Sequence, residues 1–166
     1  MKMMRSKFLI AVLATTSIAG CKKDNDSVAT RIEVNVQSLT STNLSGLNIQ
    51  LLSDEKRTNG NNIAQSQSNG VGKIDFDVTA GKTYYLYHYN SDGKVLTDIN
   101  AVYIVTGQFT SQSQINSSPA QTPAAKIGDD IHQDINGDAI IDKYDMVIKV
   151  IAPNAGATKS VNFIVN

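Results

Sequence analysis

The feature that most limits what this chain can fold into is the period-two alternation of apolar and polar residues that recurs along it. Ile32, Val34 and Val36 alternate with Glu33, Asn35 and Gln37, Leu47, Ile49 and Leu51 with Asn48 and Gln50, and Ile74, Phe76 and Val78 with Asp75 and Asp77. Successive side chains of a strand point to opposite faces, so this spacing predicts half-buried β-strands rather than helices. Thr83 to Tyr89, Ala101 to Thr106, and Val161, Phe163 and Val165 around Asn162 and Ile164 read as further strands. Between them lie Ser45-Gly46, Thr58-Asn59-Gly60-Asn61-Asn62, Asn69-Gly70, Ala80-Gly81 and Ser91-Asp92-Gly93, all turn chemistry. Short strands at such spacing predict a mostly β fold, an antiparallel β-sandwich, with one wet face per sheet.

The N-terminus is of a different kind. Lys2, Arg5 and Lys7 precede an apolar stretch that opens at Phe8-Leu9-Ile10-Ala11-Val12-Leu13-Ala14 and runs, diluted by Thr15, Thr16 and Ser17, to Gly20. A spanning helix needs ~20 mostly apolar residues, and this stretch is shorter. Its proportions are those of a secretory signal, residues 1–20. Ile18-Ala19-Gly20-Cys21 resembles the lipobox of bacterial lipoproteins. That resemblance implies cleavage before Cys21, a diacylglycerol on its thiol and an acylated new amine. Two or three acyl chains anchor stably where one is marginal. Cys21 is the only cysteine, so the chain forms no internal disulfide.

Of 166 residues, 146 remain after a 20-residue signal, enough for one domain over residues 30–166. Removing Lys2, Arg5 and Lys7 leaves 12 basic against 15 acidic residues, a balance that argues against a nucleic-acid partner. Residues 21–29 form a polar tether, Lys22-Lys23-Asp24-Asn25-Asp26-Ser27 following the cysteine. Lys22 stands where an aspartate often retains lipoproteins in the inner membrane, so the expected location is the outer membrane, on its periplasmic or its cell-surface face. The lysine and aspartate run also resembles surface-export signals of some Gram-negative lipoproteins, and it reads equally as a solvated linker.

Residues 31 to 90 carry a second resemblance. Gly46-Leu47-Asn48-Ile49-Gln50-Leu51, then Asn69-Gly70-Val71-Gly72-Lys73-Ile74-Asp75-Phe76, then Ala80-Gly81-Lys82-Thr83-Tyr84-Tyr85-Leu86 is similar to the transthyretin-like module, which includes carboxypeptidase regulatory-like domains. The family implies a sandwich of about seven strands used for adhesion, spacing or carbohydrate binding, and brings no catalytic residues. The Ser/Asn-rich loop from Ser53 to Asn62 departs from its compact members, and the pattern fades after Gly93.

Gly107 to Lys126 is rich in Ser, Gln, Thr and Pro, with almost no apolar periodicity, and reads as a long surface loop (107–126). After it, Asp134-Ile135-Asn136-Gly137-Asp138-Ala139-Ile140-Ile141-Asp142-Lys143-Tyr144-Asp145 places oxygen side chains at positions 1, 3, 5, 9 and 12 of a twelve-residue loop. This is EF-hand spacing, and it resembles the dockerin version, which ends in aspartate. The template implies a Ca²⁺ cofactor, a hard cation that takes six to eight oxygens. It assigns Asp134, Asn136, Asp138, Asp142 and Asp145 as side-chain ligands, with Asp142 direct or through water. Ile140 would give its backbone carbonyl and Ile141 would plug the loop into the core. Met146, Val147, Val150 and Ile151 are expected on one face of a short helix leaving the loop, over about 143–151. Two departures stand out: Ala139 replaces the glycine of position 6, and Pro123 and Gly128 leave no room for a full helix before the loop. Asp and Asn also populate turns for their own reasons, which supplies an ion-free reading. Against it, six of the fifteen acidic residues fall between Asp129 and Asp145, where they would repel one another without a cation.

Little points to catalysis. His88 reads as a core-edge histidine and His132 as a solvated neighbour of the acidic loop. No G-x-S-x-G, phosphate loop or zinc spacing is present, and the chain is not expected to be an enzyme. In Tyr84-Tyr85-Leu86-Tyr87-His88-Tyr89, Tyr84 and Leu86 are expected to face inward. Tyr85, Tyr87 and Tyr89 then form either an outer stripe able to stack on a sugar ring or a protein, or cross-strand packing beneath the Ser/Gln-rich loop. The residues together read as a membrane-tethered envelope protein with a structural Ca²⁺ loop, binding a glycan or an envelope protein. The alternative is a pilin-like subunit assembled by strand donation. Lipoprotein pilins of some Gram-negative bacteria also resemble transthyretin-like folds, and Arg31 suits the trimming they undergo.

Overall fold

The computed structural model describes residues 28–40, 44–54, 62–89 and 93–166. Cys21, the signal, most of the tether and much of the 53–62 loop lie outside the described residues. The fold is mostly β, as the alternation predicts. Strand β1 (Arg31–Ser38) is central to a three-stranded sheet, between β4 (Lys73–Asp77) and β12 (Thr158–Val165). A five-stranded antiparallel sheet runs in the order β3 (Ala64–Gln67), β2 (Asn48–Ser53), β5 (Thr83–His88), β11 (Val147–Ile151), β6 (Ala101–Val102). Two small pairs complete the ladder set: β7 (Val105–Gln108) with β9 (Asp130–His132), and β8 (Ala120–Gln121) with β10 (Ile140–Ile141).

The inward residues of the two large sheets make the core. Ile32, Val34, Val36, Ile74, Phe76, Phe163 and Val165 meet Leu47, Ile49, Leu51, Tyr84, Leu86, Ile148 and Val150. Each large side chain removed from water contributes about 1.5–3 kcal/mol, which is what fixes the register of the strands. The sheets are linked by the turn after β3, where Gly72 passes against β1 and its carbonyl accepts from the Val36 amide (2.7 Å). A Cβ on Gly72 would lie 2.6 Å from the Val36 carbonyl oxygen, and its φ is +74°, so only glycine fits.

Four expectations need correction. The sandwich is not wholly antiparallel: β1 pairs with β12 in parallel, Arg31 opposite Thr158 through Ser38 opposite Val165. Nor does a helix follow the acidic loop. One 3₁₀ turn, Lys143–Asp145, leads directly into β11. The slot between β5 and β6 offers that segment a ladder, Ile148 and Val150 enter the core, and tertiary pairing overrides the helical spacing. The single α-helix among the described residues is α1 (Gln112–Ser117), inside the stretch read as a plain loop. Ser111 caps it by accepting the Gln114 amide (3.3 Å), which shows why a Ser/Gln run with no apolar stripe still makes one turn and a half. Lastly, the outer face of the five-stranded sheet is wet only in part, toward Gln65, Gln67, Lys149 and Ile151. The rest of that face carries Leu52, Tyr85, Tyr87 and Val147, covered by Ile104 and Ile135.

Candidate functional site

Residues 134–145 cross that outer face as a chain of Asx turns. Asp134 Oδ1 accepts the Gly137 amide (2.6 Å) and its Oδ2 the Ala139 amide (2.8 Å). Asn136 Oδ1 accepts the Asp138 amide (3.0 Å), its Nδ2 donates to Asp138 Oδ2 (2.9 Å), and Asp138 Oδ1 accepts the Ile140 amide (2.8 Å). These short side chains hold the backbone in a tight coil because each can bond the chain two to five residues on. Gly137 and Ala139 both take positive φ, +81° and +65°. Ala139 is the one non-glycine residue with positive φ among those described. The position where the EF-hand template wants glycine therefore adopts the left-handed conformation despite its Cβ, at a cost of about 1–2 kcal/mol.

The far end of the loop is anchored in the protein. Asp142 Oδ1 caps the 3₁₀ turn by accepting the Tyr144 amide (2.8 Å). Asp145 is fully buried; its Oδ1 accepts the Ile135 and Asn136 amides (2.8 and 3.3 Å) and its Oδ2 the Asp142 amide (3.0 Å). One carboxylate thus ties the two ends of the loop together. Burial pushes its pKa above the ordinary aspartate value, partly offset by the amides from Asp142, Ile135 and Asn136, with the charge of Asp134 adding to the rise. Among the described residues no Lys, Arg or His forms an ion pair with it. Keeping this carboxylate charged at neutral pH costs free energy that a nearby cation would offset.

Ile141 is buried, as the plugging position requires, and Ile135 is a second plug that the template did not nominate. Ile140 is about half exposed. Among the described residues no three Cys, His, Asp or Glu side chains converge as a ready metal-ligating group, since the loop carboxylates are turned to the loop's own amides. The chemistry of the donor set is nonetheless uniform. Carboxylate, amide and carbonyl oxygens on a tightly coiled backbone suit a hard cation.

The other nominated residues are placed as follows. Tyr85 and Tyr87 are buried in the outer cluster, and the Tyr85 hydroxyl donates to Asp54 Oδ1 (2.8 Å). Tyr89 alone is exposed, at 39 %. The tyrosines therefore form no open ligand stripe; the cross-strand packing reading holds for Tyr85 and Tyr87, with Ile104 and Ile135 as the cover. His88 is buried with Nδ1 3.0 Å from the Asn48 carbonyl, and His132 stacks on Tyr103 with ring centroids 4.7 Å apart. Arg31 begins β1, its Nε 3.0 Å from Asp77 Oδ1, while Asp75 is exposed on the same wet face. The Tyr84–Tyr89 run did carry a signal for the missed cover, because an almost unbroken apolar run marks a strand buried on both faces. The chain matches no family model and is similar to no curated protein.

Proposed function

We propose that the chain is a lipid-anchored protein of the bacterial outer membrane whose β-sandwich carries a structural Ca²⁺ loop and serves binding or assembly rather than catalysis. The observation that carries the calcium half is Asp145, a fully buried carboxylate without an ion-pair partner at the base of an all-oxygen loop. Asp134, Asn136, Asp138, Asp142 and Asp145 would hold the ion, with the Ile140 carbonyl. The left-handed Ala139 supports this reading, since it stands where the calcium-loop template calls for that conformation. Bound there, the ion would neutralise the crowded carboxylates and pin the cover over Tyr85 and Tyr87. Equilibrium dialysis against radioactive Ca²⁺ tests it: the full chain should retain one ion at the millimolar concentrations found outside cells. Absence of retained calcium refutes the cofactor.

The anchor rests on Ile18-Ala19-Gly20-Cys21. Cys21→Ser should abolish incorporation of an alkyne fatty acid and leave an unprocessed or soluble chain. Equal labelling of the two proteins contradicts the lipid assignment.

A further inference from the structure

Tyr87 is fully buried, yet its hydroxyl has no hydrogen-bond partner among the described residues. A phenol O–H is ordinarily paired when it is removed from water, because leaving it unpaired forfeits its hydration. Its surroundings say where the missing partner lies. Tyr87 packs with Ile135, the second residue of the acidic loop, and with Val147, two residues beyond Asp145. Ile135 gives its backbone amide to Asp145 (2.8 Å) while its side chain is buried in the cluster that holds Tyr87, so one residue joins the loop carboxylate to that cluster. The phenol pKa is raised to an unusual degree, first by burial and then by the charges of Asp145, Tyr89, Asp138 and Asp134. Three of those four neighbours are nominated loop ligands. Tyr87 thus shares a buried cluster with the loop's Ile135, and its unused donor lies within the influence of three loop carboxylates.

We propose that Tyr87 is a positioning residue of the cation loop, its hydroxyl donating to an oxygen of the ligand shell once the ion is held. This rests on the calcium reading and assigns a role to a residue outside the twelve of the loop. The donor orients an oxygen toward the ion, as outer partners of metal ligands generally do. It also links the ion to the sandwich: the loop is fastened by its Ile135 and Ile141 plugs and, when loaded, by a polar bond to β5.

The test exploits effects of opposite sign. Tyr87→Phe keeps the ring and removes only the oxygen. In EDTA the variant should melt higher than wild type by a few degrees, because a buried unpaired hydroxyl is gone. In calcium dialysis it should bind more weakly, by roughly three- to ten-fold, because a donor to a charged shell is gone. Wild type and variant with the same calcium affinity would overturn the role of Tyr87 and leave the calcium loop standing. A variant that melts lower than wild type in EDTA also overturns it, since the hydroxyl then has a partner without the ion. Failure of wild type itself to bind calcium removes both readings together.

Discussion

Chelation with EDTA is expected to lower the melting temperature of this protein on the order of 10 °C relative to saturating Ca²⁺. A ligand that binds the native loop and not the unfolded chain stabilises by about 2.7 kcal/mol at a hundred-fold excess over its Kd. For a chain of this size each kcal/mol moves the transition by roughly 2–4 °C. Loops of this kind work at millimolar calcium outside cells, so the titration should extend there. Asp134→Ala or Asp138→Ala should erase the difference between EDTA and calcium, since each removes a nominated ligand. Asp138 is exposed and Asp134 half-buried, and the Gly137, Ala139 and Ile140 amides they release are at the surface and can turn to water, so stability in EDTA should change little. Asp75→Ala, an exposed residue of β4 far from the loop, should keep the full response. Mg²⁺ should substitute poorly, because it demands strict octahedral geometry and keeps its waters. Melting curves that overlay in EDTA and in several millimolar Ca²⁺ would return the loop to an acidic turn held by Asx bonds alone.

Phe163→Ala is expected to have an effect at least as large, and one that calcium does not rescue. Phe163 is fully buried in β12 and packs in the core shared by both sheets. Emptying such a site costs about 3–5 kcal/mol, the lost transfer free energy plus the cavity left behind. That corresponds to roughly 6–20 °C, measured as the thermal midpoint with and without calcium. The exposed Asn162 next to it, changed to Ala, should move the midpoint by less than about 0.5 kcal/mol's worth. A Phe163→Ala midpoint within a degree or two of wild type would mean that β12 does not close the core.

The strands of the sandwich were legible because each writes its own pattern. Ile32, Val34 and Val36, or Ile74 and Phe76, name their buried face within a few residues, and the structure buries those side chains. What was not legible is set by distant partners. Nothing local to Thr158–Val165 says that it joins β1, or that it does so in parallel. Met146, Val147, Val150 and Ile151 fit the stripe of a helix as well as they fit a strand covered on both faces, and only the slot between β5 and β6 decides. The loop shows the same division. Spacing alone nominated six residues, Asp134 to Asp145, as the ligands proposed for Ca²⁺, because a template of this kind is local in the chain. Ile135 and Tyr87 carry no such mark, since their roles arise when the loop settles on β5. The tyrosine run was read correctly for Tyr84 and Leu86 and incompletely for Tyr85 and Tyr87: alternation assigns faces but not what covers them.

The parallel ladder between β1 and β12 also governs when the protein can fold. Arg31 meets Thr158, so the sheet that holds the first strand is completed by the last one. Closing so long a stretch of chain must precede the contacts that reward it, and pairings of this kind make folding slow. The five-stranded sheet needs nothing beyond Ile151, whereas β1 keeps an unpaired edge until Thr158–Val165 has been delivered. Until that strand docks the edge is exposed, a standing invitation to pair with other strands. The step that ends the hazard is the docking of Thr158–Val165 against Arg31–Ser38.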